Sequence, residues 1–258
     1  MGDNAFVAGQ EPWLERLGNL RNLVRQELVT RQLASHLPRG PLRVLDVGAG
    51  QGTQALRLAR AGHHVTAVDA SAEMLAPLQA ELAADEEVRR QVTVQVADVL
   101  DLAGHGTVAT YDLVLCHGVL MYLDDPEPAL TGLAAATAPG GLLSLVVRNR
   151  EAMALRHAMR RQWAKALAAF DETGYVNELG VTARADTVDD LTRRLAGHGL
   201  TLERWHGVRV LSDGIPLEEP VPPPEELATL LAAEERAGST DPYRAVGPLV
   251  HLLARRRT

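Results

Sequence analysis

A chain of 258 residues, 46 % hydrophobic and 23 % charged, suits a soluble globular protein built as one large domain or a domain with a cap. Its formal net charge of -7 excludes a protein that grips nucleic acid with its whole surface, though it leaves room for a local basic patch. Cys116 is the single cysteine, which rules out an internal disulfide, and Lys165 the single lysine, so nearly every positive charge is an arginine, the better fork for carboxylate and phosphate.

The opening MGDNAFVAGQ has no basic stretch followed by an apolar one, and Phe6 stands where a myristoylation signal wants Ser or Thr. Every apolar run is interrupted before it could cross a bilayer, so a cytoplasmic protein without a membrane partner is expected. Trp13 to Leu37 predicts helix, with Leu17, Leu20, Val24, Leu28 and Leu33 on one stripe, Gly18 splitting it and LPRGP ending it. From Leu42 on, LRVLDV, HHVTAVD, VTVQVAD, YDLVLCHGVL and GLLSLVVRN read as strands. Between them TQALRLARAG, SAEMLAPLQAELAAD and DPEPALTGLAAATAPG read as helices. Glu151 to Phe170 then predicts a long Arg-rich helix, and Thr187 to Gly197 a further one. TLERWHGVRVLSD predicts a sixth strand; the Pro-rich PLEEPVPPPEE leads into a helix, and GPLVHLLARR closes the chain as a strand. Strand and helix in alternation predict an α/β fold: a Rossmann-like, doubly wound, seven-stranded sheet, mostly parallel with a final antiparallel strand and a helical cap.

In such a sheet the ligand crevice lies beyond the carboxyl ends of the strands, where the winding reverses. Gly48, Gly50 and Gly52 fall there, after the first strand. A dinucleotide fingerprint would place its third glycine at position 53, where Thr53 stands, and Asp46 would repel a pyrophosphate. S-adenosylmethionine carries an ammonium and a sulfonium instead of phosphate, so the carboxylate favours it as the cofactor. Asp69, 17 residues past Gly52 and followed by Ala70, suits ribose hydroxyls, and Asp98, after Ala97 at the end of the third strand, suits an adenine amino group. Each aspartate alone could equally cap the next helix.

These residues resemble those of the class I S-adenosylmethionine-dependent methyltransferases. More narrowly, GNLRNLVRQEL, LRVLDVGAGQG, YDLVLCHGVLMYLDDP, PGGLLSL, HGVRVLSD and DPYRAVGPLVHLLARR are similar to the bacterial tRNA 5-carboxymethoxyuridine methyltransferase family. That resemblance implies a tRNA acceptor, S-adenosyl-L-homocysteine as product, and an N-terminal helical segment (residues 1–40) over the cofactor site. A methyltransferase domain (41–258) follows, with a helical insertion at about 150–198. It implies that Arg21 holds the cofactor carboxylate and that Gly48 and Ala49 make loop contacts. Asp69 becomes the ribose acid, Asp98 or Ala97 the adenine contact, and His117 the residue beneath the cofactor. Met121 and Tyr122 stand where that family carries an acid and a tryptophan, and YVNELGVTARADT replaces a lysine-rich run.

Methyl transfer to a carboxylate needs no general base but does need a cation to hold the acceptor. Arg209 is the candidate, at the cofactor edge if the sixth strand is parallel; the alternative is an edge arginine reaching solvent. Arg148, Arg156 and Arg160 are candidates for substrate contact, or members of a solvated helix face. His117 could act as a base or only contact the cofactor, and Tyr122 could stack on a base or fill the core. The histidines form no metal-ligand spacing, so no metal is predicted, and the lack of an N-P-P-Y-like stretch after the fourth strand speaks against a DNA acceptor. A small-metabolite acceptor and a non-catalytic cofactor-binding module stand as the alternatives.

Overall fold

The computed structural model describes residues 18–104, 110–176, 180 and 182–258. The predicted first helical turns, with Trp13 and Leu17, lie outside the described residues. Helix α1 (Leu20–Ala34) begins where the extended backbone of Asn19 lets its side chain accept from the Asn22 N–H at 2.9 Å. Leu20, Val24, Leu28 and Leu33 are buried along it, as their spacing predicts.

The alternation then follows as β1 (Arg43–Val47), α2 (Thr53–Arg60), β2 (His64–Asp69), α3 (Ala72–Ala84), a short α4 (Glu86–Arg89), β3 (Val92–Val96), β4 (Tyr111–His117), α5 (Glu127–Ala136) and β5 (Thr137–Arg148). Two late strands, β8 (Leu200–Val208) and β9 (Leu249–Arg256), complete a seven-stranded sheet in the order β3-β2-β1-β4-β5-β9-β8. Strand β9 is antiparallel to both neighbours, so β8 runs in the same direction as β1 to β5. The order reverses between β1 and β4, which opens the crevice there.

Period-two alternation sends the strand residues to two cores. Leu45, Val114, Cys116, Leu143 and Leu252 pack with Leu130, Leu133, Leu191 and Leu195 on one face. Val44, Leu113, Leu115 and Leu142 pack with Ala55, Leu58, Leu75 and Leu78 on the other. Burial pushes the Cys116 thiol up to about 12, which leaves it protonated and inert.

The single helix predicted over Glu151–Phe170 is two, α6 (Met153–Met159) and α7 (Trp163–Ala168). Arg161 adopts the left-handed conformation (φ 58°), and the Gln162 N–H reaches back to the His157 carbonyl at 3.0 Å, a Schellman-type stop in which an arginine takes the place usual for glycine. The cap is also only partly helical: β6 (Gly174–Val176) and β7 (Thr182–Arg184) pair antiparallel within it. Helix α8 (Val188–Gly197), capped by Thr187, buries Leu191 and Leu195 against the sheet and so belongs to the main layer. The sixth strand ends at Val208, five residues before its predicted end, because Arg209 turns left-handed (φ 61°). Helix α9 (Pro224–Ser239) follows the Pro-rich stretch with Pro224 in its first turn. No helix among the described residues is long and apolar enough to cross a membrane.

Candidate active site

Beyond the carboxyl ends of β1, β2, β4 and β5 lies a cavity of about 360 Å³. Its acidic end is the glycine loop. Gly48 and Gly50 adopt positive φ (72° and 53°), and the Gly48 and Ala49 N–H groups donate to the Val68 carbonyl at 2.8 and 3.0 Å. Asp69 braces the loop: Oδ2 accepts from the Gly50 N–H at 2.9 Å and Oδ1 from the Ser71 N–H at 3.0 Å. The carboxylate keeps further acceptor capacity for a ligand hydroxyl. Burial raises the Asp69 carboxyl, and these backbone donors work against the rise. Asp46 is more deeply buried and is pushed up to about 7 by that burial and by the neighbouring Asp69 charge. A ligand cation would draw it into the ionised form. Ala70, Ala97 and Asp98 complete this wall, and Asp98 also caps the turn after β3 by accepting from the Leu100 N–H at 2.9 Å.

Gly52 does not line the cavity. It begins α2 in the left-handed conformation (φ 79°), and a Cβ there would lie 2.5 Å from Leu78 Cδ1, so its role is the packing of α2 against α3.

The opposite end is basic. Arg21 and Arg25 come from α1, Arg148 from the end of β5, Arg156 from α6 and Arg209 from the turn after β8. Asp213, four residues beyond Arg209, ties three of them: Arg21 Nη2 donates to Oδ1 at 2.9 Å, Arg209 Nη2 lies 3.2 Å from Oδ1, and Arg156 Nε lies 3.9 Å from Oδ2. Burial alone would raise the Asp213 carboxyl, but Arg209, Arg156, Arg21 and Arg148 hold it below its usual range. Arg209 is lowered to about 9, chiefly by burial, against the pull of Asp213 and with the push of Arg21, Arg25 and Arg148. Arg148 is buried and stacks its guanidinium 4.9 Å above the Tyr175 ring. Arg160, expected on the same face as Arg156, is exposed outside the cavity, because α6 ends at Met159 before a further turn can carry it inward.

The floor holds His117 and Tyr122. His117 Nε2 lies 2.8 Å from Ser144 Oγ, which lies 2.7 Å from His251 Nε2, while His251 Nδ1 lies 2.8 Å from Gln32 Oε1. The Gln32 amide nitrogen lies 3.5 Å from the Gly207 carbonyl, and with Gln32 oriented this way the chain of contacts takes one proton order. Gln32 Oε1 accepts from His251 Nδ1–H, Ser144 donates to the bare His251 Nε2, and His117 Nε2–H donates to Ser144. In that order His117 Nδ1 is the ring nitrogen that keeps a lone pair, and the residue lines the cavity. Burial and the nearby Arg25 lower His117 to about 3, so at neutral pH it is a hydrogen-bond acceptor and a poor general base. Tyr122 packs with the apolar cluster of Val24, Met121 and Leu249 while lining the cavity.

Sequence reasoning missed Asn19, Asn22, Arg25 and Gln26 on the cavity wall, although their i, i+3 and i+4 spacing around Arg21 is a readable signal. It also missed Asp213, which no local pattern marks. Among the described residues no group of three or more His, Cys, Asp or Glu is placed to hold a metal ion.

The cavity thus joins an acidic wall to an arginine-lined one. The family described as "Methyltransferase domain" matches residues 45–143. The tRNA 5-carboxymethoxyuridine methyltransferase of Escherichia coli O157:H7 is 31 % identical over 245 residues, covering 93 % of this chain and 89 % of that protein. The protein of the same description from Escherichia coli strain K12 is 32 % identical over 248 residues, with the same coverage. Magnesium protoporphyrin IX methyltransferase from Synechocystis PCC 6803, solved with bound S-adenosylhomocysteine, shares the fold at a TM-score of 0.65 and 18 % identity, covering 98 % of this chain and 97 % of that one. The chain thus belongs to the family of the tRNA 5-carboxymethoxyuridine methyltransferases and is a class I S-adenosylmethionine-dependent methyltransferase.

Proposed function

We propose that this methyltransferase esterifies a carboxylate, and that the acceptor is the carboxymethoxyuridine at the wobble position of a tRNA. The observation that carries the reading is the charge split across one cavity: Asp46, Asp69 and Asp98 at one end, and five arginines, three of them tied by Asp213, at the other. Arg21 holds the donor carboxylate, Asp69 the ribose hydroxyls, and Asp98 with Ala97 the adenine edge. Arg209 grips the acceptor carboxylate, Arg148 and Arg156 add to the positive field, His117 supplies a neutral lone pair beneath the donor, and Tyr122 offers a face to the base. S-adenosylmethionine supplies an electrophilic methyl on a sulfonium. The carboxylate oxygen forms the new bond as the methyl–sulfur bond breaks, and no proton has to move. The chain therefore has to align two ligands and keep water out. Cytoplasmic residence accords with a tRNA acceptor.

The test is transfer of labelled methyl from S-adenosylmethionine into tRNA bearing carboxymethoxyuridine, followed by mild alkali. Label that enters and is then released identifies the ester, and tRNA binding should weaken steeply with salt. A protein that binds the donor yet labels no tRNA would instead have a small anionic metabolite as acceptor, the reading favoured by the acidic net charge and single lysine.

Asp69→Ala removes both a ribose partner and the brace on Gly50, so donor affinity should fall by about 10- to 100-fold, the scale of losing hydrogen bonds to a charged group. Calorimetry reads this directly, and an unchanged dissociation constant would take Asp69 out of the site.

A further inference from the structure

Away from the cavity wall, Glu234 of α9 is completely buried. Its Oε2 accepts from the Val210 N–H at 2.8 Å, and its Oε1 accepts from the Leu211 N–H at 3.0 Å, the Ser212 N–H at 2.7 Å and the Ser212 hydroxyl. Three successive backbone donors wrapped around one carboxylate form an anion nest, here filled by the protein's own side chain. The residues that make the nest are those between Arg209 and Asp213. One turn further along α9, Gly238 meets Gly207 so closely that a Cβ on Gly238 would lie 2.3 Å from the Gly207 oxygen. Helix α9 is thus seated against the end of β8 at the point where the chain turns left-handed at Arg209.

We propose that Glu234 is a positioning residue: by holding residues 210–212 it fixes Arg209 and Asp213, and through Asp213 it sets Arg21 for the donor carboxylate. The proposal rests on the reading of Arg21 as the partner of that carboxylate. Arg21 bonds Asp213 across 192 residues of sequence, so the orientation of its guanidinium depends on where the turn stands. Without the carboxylate in the nest, three amides lose their acceptor and the turn that carries Arg209 at positive φ loses its main polar anchor.

The experiment compares two ligands on the full chain by calorimetry: S-adenosylhomocysteine, which carries the amino-acid carboxylate, and 5′-methylthioadenosine, which lacks it. In Glu234→Gln an amide NH2 must face a backbone N–H in the nest. The variant should bind S-adenosylhomocysteine about tenfold more weakly while 5′-methylthioadenosine changes less than twofold. Equal weakening of both ligands would mean a merely structural role, and no change in either would mean that the nest does not matter to binding; each overturns the proposal. Arg21→Ala separates the two layers. If it leaves the ratio of the two affinities unchanged, the reading of Arg21 has failed; if it shifts the ratio and Glu234→Gln does not, the proposal about Glu234 has failed. Should Glu234→Gln not fold, the unsubstituted protein still decides. By linkage, S-adenosylhomocysteine should slow hydrogen exchange at the Val210, Leu211 and Ser212 amides more than 5′-methylthioadenosine does, and equal slowing would overturn the proposal.

Discussion

Gly48→Ala should lower the affinity for S-adenosylmethionine about 100-fold while leaving a folded protein. The backbone of Gly48 is left-handed (φ 72°), which costs a residue with a Cβ about 1–2 kcal/mol. The added methyl would also lie 2.1 Å from Val119 Cγ2, and overpacking of that kind costs about 1–3 kcal/mol. Relief requires either the glycine loop or the Val119 turn to move, and both line the cavity, so the displacement is felt at the ligand. Gly140→Ala is the control. Its φ of 73° is nearly the same, but the nearest atom to its new Cβ is Thr258 Cγ2 at 3.6 Å, far from the site. Calorimetry on both variants separates backbone strain from the clash. Equal donor affinity in the two would mean that contact with Val119 is irrelevant to binding.

The parts of this fold that could be read from sequence are those set by local period. Parallel strands buried on both faces leave apolar runs such as LRVLDV, and helices between them leave amphipathic ones, so the β1-to-β5 alternation and the glycine loop were legible to within a few residues. What escaped depends on partners far away in the chain or on an unusual residue at a turn. The sequence over 151–170 reads as one continuous helix because its stop uses Arg161 at positive φ where a glycine would announce it. That misreading carried Arg160 onto the face of Arg156, since i and i+4 share a face only while the helix continues. The same blindness at Arg209 made β8 too long. Gly52 reads as a cofactor contact because the loop is glycine-rich throughout, whereas its proximity to Leu78 is a fact of helix packing. The Arg21–Asp213 pair and the Glu234 nest could not be read from any window of sequence.

On the proposed reading, in which Arg209 grips a carboxylate acceptor, Arg209→Ala should cut methyl transfer to carboxymethoxyuridine tRNA about 100-fold or more in kcat/KM, with donor affinity changed less than threefold, because a buried charge-assisted fork is lost. The substitution leaves Asp213 paired with Arg21 and Arg156, so no orphaned carboxylate remains to unfold the turn. Arg209→Lys keeps a charge without the fork and should recover only part of the rate. The left-handed backbone at this position supplies a second, independent readout. An arginine at φ 61° is strained and a glycine is not, so Arg209→Gly should be more stable than Arg209→Ala by about 1 kcal/mol while being no more active. Thermal unfolding and acceptor kinetics on the three variants would reveal whether strain and function part in this way. A glycine variant that restored activity would mean that the turn matters for its backbone alone, and that the acceptor is held by a residue other than Arg209.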